Sequence, residues 1–123
     1  MTIAEIKTAC RKYREARRAM PGIERELETL RRKSESVLTD DERRMLMYAI
    51  ECKSQALEDV RSVIGIVEKG SVYLPEEERR VIDQLYINGK RWMEVTDGSG
   101  QVYPERQAIT IWKRAIRRMA RNL

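Results

Sequence analysis

The sequence predicts an all-α chain: an antiparallel, coiled-coil-like helical hairpin over residues 1–70, then a helix-turn-helix domain over residues 71–123. Three observations predict it. Apolar residues recur at spacings of four and three through the first seventy positions, the beat of one buried stripe per helix. The composition is 37% charged and 6% aromatic with no Phe, too poor in bulk for a thick core and well matched to striped helices. The last segment is sharply two-faced, apolar on one side and cationic on the other. The 41% apolar content and its regular spacing argue against disorder.

The first helix opens at Thr2-Ile3-Ala4-Glu5, which has the spacing of a capping box. Its stripe is Ile3, Ile6, Cys10, Tyr13 and Met20, broken by Arg17. Pro21-Gly22 is expected to kink or turn the chain, because proline removes a backbone donor and glycine is permissive. A second run follows with Ile23, Leu27, Leu30 and Val37. Residues 34–40 read as a loop. Thr39-Asp40-Asp41-Glu42 is another capping-box spacing, with acids suited to the positive end of the helix dipole. A long helix to about Gly70 carries Leu46, Ile50, Leu57, Val60, Ile64 and Val67, with Lys53 in the one polar core slot. Its length matches the two preceding segments together, which favours an antiparallel hairpin. A two-helix hairpin buries little apolar area, so a homodimer through residues 1–70 is expected.

Gly70-Ser71 reads as a break. Leu74-Pro75-Glu76-Glu77-Glu78 starts a new helix, because proline is preorganised for a first turn and acids suit it. Val81, Ile82, Leu85 and Tyr86 form its inner face, and Asn88-Gly89 ends it. A short helix is expected from about Arg91 to Asp97, with Trp92 and Val95 inward. Gly98-Ser99-Gly100 is a turn, and the last helix begins near Pro104. At ~100° per residue, Ala108, Ile111, Trp112, Ala115, Ile116 and Met119 share one face of that helix, and its polar and basic residues share the other. Helix, short helix, glycine turn and amphipathic helix in that order spell helix-turn-helix.

Several functional classes find no residues here. Without His, no plausible nucleophile–base pair exists, so the chain is not expected to be an enzyme or to need a cofactor. Cys10 and Cys52 are isolated thiols, which excludes a zinc site of ordinary spacing and argues against a structural disulfide. Asp40-Asp41-Glu42 is accounted for by helix capping and not by a metal. Gly98-Ser99-Gly100 follows no strand and is followed by no Gly-Lys-Ser/Thr, so it is no phosphate loop. No apolar run approaches the ~18 residues that would span a membrane, and residues 1–20 lack the apolar core of a signal peptide. A cytoplasmic location is the resulting expectation.

The charge is more informative. Residues 101–123 hold six cations against Glu105, which is the entire net charge of +5, while residues 1–100 balance at 19 of each sign. A basic helix closing a neutral chain is an electrostatic footprint for a polyanion, most simply double-stranded DNA. The N-terminal turn of a recognition helix enters the major groove deepest, so Glu105, Arg106, Gln107 and Thr110 are the expected base contacts. Lys113, Arg114, Arg117, Arg118 and Arg121, further along the polar face, are the expected phosphate contacts.

The stretch from Leu74 to Met119 resembles the C-terminal, promoter-reading region of bacterial sigma factors. The resemblance is carried by Pro75-Glu76-Glu77-Glu78-Arg79-Arg80-Val81-Ile82, Leu85-Tyr86-Ile87-Asn88-Gly89 and Trp92-Met93-Glu94-Val95-Thr96. It continues through Tyr103-Pro104-Glu105-Arg106-Gln107-Ala108 and Arg114-Ala115-Ile116-Arg117-Arg118-Met119. With a coiled-coil segment in front, the order is similar to the ArpU-like and RinA-like late transcriptional regulators of phages and prophages of Gram-positive bacteria. Three positions depart from that pattern. The turn from Gly98 to Val102 is longer, Thr96 replaces a small Ala, and Pro104 stands where Ser or Thr often caps. The resemblance implies a sequence-specific transcriptional regulator. Alternatives of other classes are a small terminase-like DNA-recognition component of phage packaging, and a coiled-coil adaptor that binds RNA polymerase without reading DNA.

Overall fold

The computed structural model describes all residues 1–123 and is all-α. Four α-helices follow in order: α1 (Ile3–Lys33), α2 (Asp40–Ser71), α3 (Glu76–Ile82) and α4 (Glu105–Asn122). α3 is prolonged by a π-helical turn, Asp83–Ile87, and a single 3-10 turn, Trp92–Glu94, stands before α4. α1 and α2 form the expected N-terminal hairpin. No helix is long and apolar enough to cross a membrane.

Both long helices begin as their sequences dictate. The Glu5 amide donates to Thr2 Oγ1 at 3.1 Å and the Thr2 amide donates to Glu5 Oε1 at 3.1 Å, a closed capping box. At α2 the Glu42 amide donates to Thr39 Oγ1 at 3.2 Å, with Asp40, Asp41 and Glu42 in the first turn. Of the kink or turn expected at Pro21-Gly22, the turn is excluded. The chain does not turn there: α1 runs unbroken for 31 residues with Pro21 inside it. One interior proline costs about 3 kcal/mol of helix stability. Met20, Ile23 and Leu27 hold one continuous apolar stripe across that point, and burying such residues outweighs a single lost bond. Val37, expected on the second run, lies in the connecting loop and is fully exposed.

The chain divides into two compact units. The first comprises residues 1–14 and 63–123, and the second residues 15–62, a division placed elsewhere than residue 70. In the second unit, Ala16, Leu27 and Leu57 are buried, while Met20, Ile23, Leu30, Leu46, Ile50 and Val60 are half-buried. Lys53 occupies the polar slot of the stripe and its ammonium pairs with the Glu26 carboxylate across the hairpin, keeping its head near solvent.

The first unit has the richer core. Ile6, Ala9, Cys10 and Tyr13 of α1, Ile64 and Val67 of α2, and Val81, Ile82, Ala115, Ile116 and Met119 are all buried in it. Tyr13 donates its hydroxyl to Glu68 at 2.8 Å and so ties the start of α1 to the end of α2. Cys10 is a small buried hydrophobe, and burial pushes its thiol up to about 12. α2 ends at Ser71, and the break expected at Gly70-Ser71 falls on residues 72–75, one residue further on. A Cβ on Gly70 would stand 3.2 Å from Met119 Cε and 3.3 Å from Leu123 Cδ1, so the absent side chain lets α4 approach α2 closely.

Candidate nucleic-acid interface

α3 caps without a side chain. Pro75 presents its carbonyl to the Arg79 amide at 2.9 Å, and Glu76, Glu77 and Glu78 load the first turn with negative charge. The π-helical turn closes with the Asn88 amide on the Asp83 carbonyl at 2.9 Å. Gly89 follows with φ +67°, and a Cβ there would also collide with the Arg14 guanidinium. The positive φ favours glycine at this position, while the Arg14 side chain can move aside.

The expected short helix from Arg91 to Asp97 shrinks to the one turn Trp92–Glu94. Val95 is already extended, and Thr96 forms an antiparallel bridge with Val102. The cause is Gln84, buried near the end of α3. Its amide donates to the Thr96 carbonyl at 2.8 Å, and its carbonyl oxygen accepts from the Thr96 amide at 2.9 Å and the Thr96 hydroxyl at 3.0 Å. Lys90 Nζ adds a bond to the same oxygen at 3.2 Å. Once these bonds hold Thr96, its backbone cannot also serve a helix. Thr96 in place of a small Ala is thereby explained: its hydroxyl satisfies a buried acceptor. The turn itself is organised by Asp97, whose Oδ1 accepts from the Ser99 amide, the Ser99 hydroxyl and the Gln101 amide at 2.7–3.0 Å. The Ser99 hydroxyl bond, then the two amide bonds, hold that carboxyl below its ordinary range. Gly100 closes the turn at φ +85°.

This framework aims α4. Val81, Val95, Tyr103, Ala108 and Ile111 form one buried cluster, with Leu85, Trp92 and Trp112 packed against it. The indole rings of Trp92 and Trp112 meet edge to face at 5.4 Å. Trp112 Nε1 donates to the Tyr86 hydroxyl at 2.7 Å. Burial pushes that hydroxyl up to about 12, against the opposing effect of the Trp112 bond. Both tryptophans are half-buried at the edge of the cluster.

All nine residues expected at the interface lie on α4 and are exposed. They are not equivalent. Arg106, Thr110, Lys113, Arg117 and Arg121 recur at four, three, four and four residues, which places them on one stripe opposite the buried face. Arg106, Lys113, Arg117 and Arg121 make no ion pair within the chain. Thr110 donates its hydroxyl to the Arg106 carbonyl at 2.9 Å. Glu105 stands in the first turn, and Gln107 flanks the stripe. Arg114 and Arg118 face α3. Arg118 Nε lies 3.0 Å from the Glu78 carboxylate, and Arg114 Nη2 lies 3.7 Å from Glu77. Glu78 is only 4% exposed, and Arg118 gives its carboxylate a charge-assisted hydrogen bond at 3.0 Å. Sequence reasoning missed Glu78 and Gln84. Glu78 sits in a run of three acids that resembles an ordinary solvated helix start, and nothing local marks Gln84 as buried.

Comparison with known proteins gives no match: no family model, no curated protein and no solved structure is significantly similar to this chain.

Proposed function

We propose that the protein is a sequence-specific DNA-binding transcriptional regulator of phage or prophage late genes, acting in the cytoplasm as a homodimer. One observation carries the DNA reading. Arg106, Lys113, Arg117 and Arg121 form an exposed cationic stripe without internal partners on a helix whose opposite face is buried. A protein that needed those charges for stability would pair them, as it pairs Arg118. Unpaired and aligned, they suit a phosphate backbone. The assignment to late-gene regulation rests on the sigma-factor-like sequence order from Leu74 to Met119. Within that reading, Arg106 and Gln107 in the first turn of α4 do the base reading, through the paired bonds that Arg makes to guanine and Gln to adenine.

Selection of preferred duplexes by the purified chain tests this. Arg106→Ala and Gln107→Ala should each cost about 1–3 kcal/mol of discrimination and leave weak, salt-sensitive binding in place. An unchanged preferred sequence in both variants would remove the base-reading assignment. Duplex binding that ignores salt would remove the DNA reading altogether.

Self-association rests on the surface of residues 15–62. Met47 and Tyr48 are 63% and 72% exposed, beside half-buried Leu46 and Ile50. A hairpin that leaves such side chains in water gains by covering them with a second copy. Sedimentation should give twice the 14.5-kDa chain mass. Met47→Glu with Tyr48→Glu should shift the chain to monomer without loss of helix. A wild-type chain that stays monomeric at micromolar concentration would sink the dimer.

A further inference from the structure

The first four turns of the chain carry an unabsorbed charge pattern. Residues 1–14 hold Lys7, Arg11, Lys12 and Arg14 against Glu5. Lys7, Arg11 and Arg14 are spaced at four and three residues, so they share one stripe of α1, and all three are exposed. None forms an ion pair within the chain.

Two separate contacts put this stripe against the helix-turn-helix arrangement. Lys7 Nζ lies over the Trp112 ring, 5.2 Å from its centroid. Arg11 lies between Lys7 and Arg14 on the same stripe of α1. The Arg14 guanidinium packs on the bare Cα of Gly89. From Lys7 to Arg14 the stripe thus runs from Trp112 to the Asn88-Gly89 turn. Trp112 immediately precedes Lys113 of the free cationic stripe on α4, and Gly89 immediately precedes Lys90 and Arg91. The tertiary fold has brought the cations at the start of α1 against α4, at Trp112, and against the Asn88-Gly89 turn.

We propose that Lys7, Arg11 and Arg14 are a second set of DNA phosphate contacts, in which the start of α1 flanks the recognition helix and widens its footprint on the duplex. The inference rests on the DNA reading of α4 and adds an element that the sequence assigned only to oligomerisation. Contacts of this kind carry no sequence information. They raise affinity for every duplex alike and steepen its dependence on salt.

The test uses the full chain and a short duplex of arbitrary sequence, titrated across a salt series. Lys7→Gln with Arg11→Gln should weaken binding several-fold and reduce the slope of log affinity against log salt by ~0.9 per lost contact. Arg11→Gln alone should reduce it by about half as much. Arg11 is the safer single change for folding, since its only hydrogen bond is a long one of 3.4 Å to Thr8. The charge-preserving pair Lys7→Arg with Arg11→Lys should keep the wild-type slope. Arg25→Gln with Arg31→Gln, which removes two charges from the other compact unit, should also keep it. An unchanged slope in the Lys7 and Arg11 variants would overturn this proposal and leave the reading of α4 intact. An equal fall in the Arg25 and Arg31 variant would also overturn it, because net charge alone would then explain the effect. No salt-dependent binding by the wild-type chain would overturn the DNA reading, and this proposal with it.

Discussion

Trp112→Ala should unfold the first compact unit at ordinary temperature and abolish DNA binding with it. Truncating a packed tryptophan costs about 3–5 kcal/mol when it is well buried. Trp112 is half-buried, which alone would place the change near the low end. Three further losses push it up. The edge-to-face contact with Trp92 goes, worth about 0.5–1.5 kcal/mol. The Tyr86 hydroxyl, already in a low-dielectric setting, loses its 2.7 Å donor. The Lys7 ammonium loses the ring beneath it. Small proteins hold only about 5–15 kcal/mol in reserve, and a loss of this size unfolds a unit at the lower end of that range. Thermal melting followed by circular dichroism reads the result directly. Trp112→Phe keeps an aromatic ring and loses only the indole donor, so it should fall between the variant and wild type. A Trp112→Ala chain that melts like wild type yet no longer binds duplex DNA would show that Trp112 touches the nucleic acid.

Wherever the determining interaction is local, the fold was legible. Thr2 with Glu5 and Thr39 with Glu42 announce two helix starts through contacts three residues apart. Asn88-Gly89 announces a stop, because one residue must adopt positive φ. The two faces of α4 follow from helical periodicity alone. The misses share the opposite property. Pro21 reads locally as a kink or a turn, and the packing of a stripe along a 31-residue helix decides against the turn. Residues 91–97 read as a helix until Gln84, twelve positions before Thr96, takes the Thr96 backbone groups for itself. The candidate interface follows the same division. That α4 is basic and exposed on one face was visible in the sequence. Which of its cations are free was not, since that depends on Glu77 and Glu78, which lie about forty positions away in the chain.

That difference between cations predicts opposite behaviour from two neighbouring arginines. Arg117→Ala should leave stability within about 0.5 kcal/mol of wild type, as expected of an exposed side chain without a partner. It should weaken duplex binding and lower the salt slope by ~0.9. Arg118→Ala should do the reverse. The Arg118 side chain is half exposed, but the Glu78 carboxylate it holds is almost fully buried. Removing the guanidinium leaves a buried anion without its donor, which costs about 1–3 kcal/mol. Binding should then fall only as far as the folded population falls. At a temperature where the variant is fully folded, its salt slope should match wild type. Glu78→Gln supplies the check on mechanism. In the Arg118→Ala background it removes the stranded charge and should recover much of the lost stability, although alone it costs stability by spoiling the pair. The double-mutant cycle therefore yields a coupling energy on the order of 1–3 kcal/mol. If Arg118→Ala instead lowers the salt slope and leaves the melting temperature unchanged, Arg118 leaves Glu78 to grip phosphate, and its role is that of Arg117.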